Sequence, residues 1–62
     1  MKTLRVIGVA AKLDISVALV WRMAQKTSFP KPFKLHHNVT VWDEEEIDAW
    51  LNHQKEHQHE SK

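Results

Sequence analysis

The segment Phe29-Pro30-Lys31-Pro32-Phe33 constrains this chain more than any other stretch. Proline has no amide hydrogen, and it pushes the residue before it away from helical backbone. No helix therefore crosses the break. The 62 residues divide into an N-terminal part with room for two short helices and a C-terminal part with room for a hairpin and one more helix. Charge divides the chain as well. From Met1 to Trp42 seven basic residues stand against Asp14 alone, a net +6. From Asp43 to Lys62 two lysines stand against seven carboxylates, a net −5. The overall +1 conceals this separation. A small domain with one basic and one acidic side is suited to hold a polyanion on the first and keep the second away from it.

A chain this short buries only roughly 60% of the surface it exposes when unfolded. It supports one small core, expected within residues 1–53, with 54–62 a polar tail that either extends the last helix or frays. The absence of cysteine excludes a disulfide framework and a cysteine-based metal staple. The longest fully apolar run, Val17 to Trp21, falls far short of the ~20 residues a bilayer demands. A soluble cytoplasmic protein without a membrane partner is expected. So little chain also leaves no room for a substrate pocket with a preorganised catalytic shell. We expect no enzyme, no catalytic residue, no small-molecule substrate and no cofactor.

Local patterns fill in the elements. Val6, Val9, Ala10 and Leu13 recur at helical spacing, although Gly8 weakens that helix by up to about 1 kcal/mol relative to Ala. Asp14 can end it in left-handed backbone, where Gly is more usual. Ile15 then pins the turn. Ser16 suits the N-cap of a second helix, from Val17 to about Lys26, with Val20, Met23 and Ala24 inward. Beyond the prolines, Phe33, Leu35, Val39 and Val41 alternate with Lys34, Thr40 and Trp42 on either side of His36-His37-Asn38. That reads as a β-hairpin with Asn38 as the candidate for positive φ. Asp43, with Glu46 three residues on, predicts a capping box opening an acidic third helix, whose Ile47, Trp50 and Leu51 face the core.

Two helices joined by Leu13-Asp14-Ile15-Ser16 fit a helix-turn-helix, with Ala10 and Ala11 small enough for the second helix to cross the first. In such modules the second helix enters the major groove. The fold class expected is mainly α with a small β-hairpin: a winged helix-turn-helix of three helices and a two-stranded wing. Leu13, Ile15, Ser16 and Arg22, then Phe29-Pro30-Lys31-Pro32-Phe33-Lys34-Leu35, Val41-Trp42 and Glu46-Ile47-Asp48-Ala49-Trp50-Leu51 carry a resemblance. The chain resembles the AlpA-like prophage regulators and small phage excisionases, with a MerR-type winged helix, over roughly residues 4–53. The resemblance implies sequence-specific binding of double-stranded DNA by the second helix and the wing. It also implies a role as transcriptional regulator of a prophage or mobile element, or as a recombination directionality factor that bends DNA for an integrase.

The candidate DNA-binding residues are Ser16, Val17, Ala18, Leu19, Trp21, Arg22 and Lys26 on or beside the second helix, and Lys31, Lys34, His36 and His37 around the wing. Arg22 leads, because arginine bonds guanine bidentately or holds a phosphate. The lysines supply positioning. Lys12 on the first helix is a weaker candidate for the backbone. Two features depart from the family. The second helix starts Val17-Ala18-Leu19 where polar or basic residues are usual, and the wing tip carries His36-His37-Asn38 where Gly and Arg are usual. Five consecutive apolar residues from Val17 to Trp21 sweep about 400°. Some must be exposed, facing thymine methyls or a protein. Histidines at the tip add little phosphate attraction near about pH 7.5 and more near about pH 6.

Trp42 and Trp50 are read as core, and Trp21 as half exposed beside the DNA face. His53, His57 and His59, with Glu56 and Glu60, share helix faces, but no further ligands converge from a rigid element. They are read as a polar tail without a metal. The acidic run Asp43 to Asp48 is read as helix capping and a solvated face. A single copy offers few contacts. Useful affinity calls for several copies on repeated sites, or a partner such as an integrase or RNA polymerase. The alternative is a protein-interaction module that presents the apolar side of helix two to a host or phage protein without reading DNA.

Overall fold

A computed structural model describes residues 2–60, with side chains through His57. The order is β1 (Thr3–Leu4), α1 (Val6–Leu13), α2 (Val17–Ala24), β2 (Phe33–His36), β3 (Val39–Asp43) and α3 (Glu44–Glu60). The strands form an antiparallel sheet in the order β1-β3-β2. This is the expected mainly helical winged helix-turn-helix, with three helices and a two-stranded β2–β3 wing, to which β1 adds a third strand. Thr3 pairs with Asp43 and Leu4 with Trp42, so the N-terminus becomes an edge of the sheet. Gly8 permits this close approach, since a Cβ there would lie 3.3 Å from Leu4 Cδ2.

The turn between α1 and α2 follows from its residues. Asp14 is left-handed (φ 59°, ψ 47°). Its N–H donates to Ala11 O, and the Ile15 N–H donates to Ala10 O at 3.0 Å. That pair of bonds is the Schellman closure, which satisfies carbonyls a helix end otherwise leaves open. Ser16 Oγ then accepts the Leu19 N–H at 3.1 Å and caps α2.

The core consists of Val9, Ala10, Val20, Phe29, Trp42 and Ile47, with Leu4, Val6, Leu13, Ile15, Met23, Ala24 and Trp50 packed around it. It draws on every helix and on the sheet. The proline segment is fastened to it. Phe29 meets Trp50 edge-on at 4.9 Å, and the Trp42 indole N–H donates to Pro30 O at 3.1 Å.

The hairpin differs from expectation in two ways. Asp14 is the one non-glycine residue with positive φ among those described, so Asn38 is not left-handed. Instead the register slips between Lys34 and His36, leaving Leu35 as a bulge, and the strands close through a two-residue turn. A bulge raises local twist, which supplies what a mirror-image turn otherwise would. The alternating pattern also does not translate into burial in β2. All four of its residues are exposed, Leu35 by 62%, because β2 is the outer strand and only its β3 side is covered.

Asp43 Oδ1 accepts the Glu45 N–H at 3.0 Å, and Glu44 N–H donates to Lys2 O at 2.9 Å. The start of α3 is thus satisfied by one aspartate and by the Lys2 carbonyl just ahead of β1, not by a reciprocal box: Glu46 instead borders an open depression beside Thr27 and Pro30. Ile47 is fully buried and Trp50 half-buried, whereas Leu51 is 40% exposed and does not join the core. The helix continues to Glu60, into the polar tail. Residues 61 and 62 of that tail lie outside the described residues.

Candidate nucleic-acid interface

At about 100° per residue, the sequence of α2 sorts into faces. Val20 is buried, with Met23 and Ala24 half-buried beside it. The opposite line runs through Ala18 and Gln25. Val17 and Trp21 flank it on one side, Arg22 and Lys26 on the other, and all six are exposed. Leu19 is half-buried at the margin and turns away from that line. The hydroxyl of Ser16 is committed to the helix cap. Trp21 remains 42% exposed, and its ring lies 5.3 Å from that of Trp42, so this edge of α2 leans on β3 and the wing is its neighbour.

Arg22 stands free. The ion pairs among the described residues both belong to Lys12, which reaches Asp48 Oδ1 at 2.9 Å and Glu44 Oε2 at 3.2 Å. Those hydrogen bonds, to Asp48 first and Glu44 second, raise the Lys12 pKa above its ordinary 10.5. Lys12 is therefore held against α3 and is a poorer candidate for a phosphate than its charge suggests. Among the described residues Glu44 and Asp48 pair with this lysine of α1, and no ion pair engages Arg22 or Lys26.

Lys31 is also engaged. Its Nζ donates to Ala24 O and Lys26 O, both at 3.0 Å, where the carbonyl end of α2 carries partial negative charge. Lys34 is exposed, with Nζ 3.5 Å from His37 O, and the His36 and His37 rings lie 4.6 Å apart at the exposed tip. The candidates thus fall into two adjacent groups, an α2 face and a wing tip, joined by Lys31 and the tryptophan pair. Phe33 and Leu35 add exposed apolar surface to the wing.

Gln25 was missed in the sequence, where it looks like one more polar residue before a loop. Its signal is its position, seven residues after Ala18, on the middle of the outward face. Among the described residues no three His, Cys, Asp or Glu side chains gather as a metal site. His53 and His57 stack at 5.5 Å on α3, and the side chain of His59 lies outside the described residues. No described helix is long and apolar enough to cross a membrane.

Residues 2–55 match the family model described as prophage CP4-57 regulatory protein (AlpA). No curated protein and no solved structure matches the chain.

Proposed function

The chain belongs to the AlpA family of prophage regulatory proteins, and from that premise we propose that it is a sequence-specific double-stranded DNA-binding protein without catalytic activity of its own. Helix α2 lies in the major groove, and the β2–β3 wing follows the neighbouring backbone. The observation that carries this reading is the outward face of α2. It presents Ala18 and Gln25 along its centre and an unpaired Arg22 at its margin, while the cation of α1 is already neutralised. Arg22 reads a guanine edge or holds a phosphate, and Lys26 and Lys34 position the complex.

The test is fluorescence anisotropy on duplexes selected from a randomised pool. Arg22→Ala is expected to weaken the selected site at least tenfold, and wild-type affinity to fall steeply with salt. Unchanged affinity in the variant, or a tight salt-insensitive complex, rejects the reading. The regulatory outcome runs through transcription or through excision. An excision assay with the integrase of the same element separates the two, and cooperative filling of repeated sites reports several copies acting together.

A second reading rests on the exposure of Val17 (37%) and Trp21 (42%). An apolar strip of this kind also suits a host or phage protein. Failure to bind any duplex, together with a partner lost on Trp21→Ala, favours it.

A further inference from the structure

The face that α2 presents is unusual in its first turns. Side chains from the N-terminal part of a recognition helix are those that reach base edges. Here that part offers Val17, Ala18 and Trp21, and the one hydroxyl beside them, Ser16 Oγ, already accepts the Leu19 N–H. Valine and alanine bring no donor or acceptor, so they cannot read the hydrogen-bonding pattern of a base. The apolar group that unmodified DNA offers in the major groove is the C5-methyl of thymine. Val17 and Trp21 lie four residues apart, about 6 Å along the helix axis. That is roughly two base steps at about 3.4 Å each. One and two turns beyond Ala18, the exposed Arg22 and Gln25 carry the groups that fit guanine and adenine edges.

We infer that the chain selects its site through thymine methyl groups, with Val17 and Ala18 packed on the methyls of one or two neighbouring thymines beside the base read by Arg22. This inference rests on the DNA-binding reading above and specifies what that binding recognises. Charge complementarity supports the occupant. The apolar strip lies on the same helix as Arg22 and just before Lys26, within the Met1–Trp42 part of the chain that carries net +6.

The experiment exchanges one methyl at a time. Duplex sites are selected from a randomised pool, and each thymine in the selected site is replaced by deoxyuridine, which keeps base pairing and hydrogen-bonding groups and removes only the methyl. Affinity is expected to fall about fourfold per contacted methyl, at one or two positions and nowhere else. A double variant, Val17→Ser with Ala18→Ser, changes exposed positions only and is expected to bind thymine and uracil duplexes alike. Equal affinities of the wild type for both duplexes overturn the inference and leave DNA binding standing. Discrimination that survives in the double variant overturns it as well, by assigning the methyl contact elsewhere. Absence of binding to any duplex overturns the functional reading along with it.

Discussion

Trp42 donates its indole N–H to the carbonyl of Pro30 at 3.1 Å, across twelve positions of the chain. The residue that anchors the sheet in the core thereby also fixes the proline break. Replacing it tests how far the fold depends on that joint. Trp42→Phe removes the donor and leaves a gap in the core it shares with Val9, Val20 and Ile47. We expect a loss of about 2–4 kcal/mol. Small domains of this kind have only a few kcal/mol to lose. Urea unfolding followed by circular dichroism should find the variant largely unfolded, and a wild-type midpoint would contradict this account of the core.

Lys12 should matter to stability rather than to DNA. Its ammonium pKa is raised by Asp48 and Glu44. A cation whose folded pKa lies above its unfolded value stabilises fully below about pH 10.5, and that contribution disappears as pH rises through the folded value. Urea midpoints measured from neutral to strongly alkaline pH should therefore decline more steeply for the wild type than for Lys12→Met. The gap at neutral pH should narrow in high salt. Parallel alkaline curves would show that the ion pairs contribute nothing.

The left-handed Asp14 offers a route to greater stability. Glycine adopts that backbone without the Cβ penalty. Asp14→Gly is expected to raise unfolding free energy by about 0.5–1 kcal/mol, and Asp14→Val to lower it by more than 1 kcal/mol. A glycine variant weaker than the wild type would mean that the aspartate side chain has a role beyond backbone tolerance.

Lys31 and Lys34 are equally charged but differently employed. Lys31→Met opens two carbonyls at the end of α2 and should cost about 0.5–1 kcal/mol in urea unfolding. Lys34→Met should leave stability within about 0.5 kcal/mol. It should also reduce the slope of binding against log salt by about one. The reverse pattern, with Lys31 governing the salt slope and Lys34 the stability, would invert these assignments.

Much of this fold is legible in the residues themselves. Val6, Val9, Ala10 and Leu13, then Val20, Met23 and Ala24, mark helix faces that do point inward, and Asp14, Ser16 and Asp43 carry short-range capping chemistry that needs no tertiary knowledge. What escaped depends on distant partners. Thr3–Leu4 is too short to show a period and becomes a strand only because Trp42 and Asp43 lie beside it. Leu35 looks like an inward residue until a bulge takes it out of register. In the interface, the charge of Arg22 and Lys26 was plain from their residue types. Gln25 emerged only from the geometry of the helix, and Lys12 and Lys31 are diverted by carboxylates and carbonyls that linear spacing does not bring near them.

The fastening of Pro30 to Trp42, of Lys31 to the end of α2 and of Trp21 to Trp42 braces helix against hairpin at three points. A body so braced has little freedom to adjust to the contour of its target. If α2 and the wing engage DNA together, most of the accommodation must come from the nucleic acid, and sequences with easily kinked steps between the two contact points gain an advantage at positions the protein never touches.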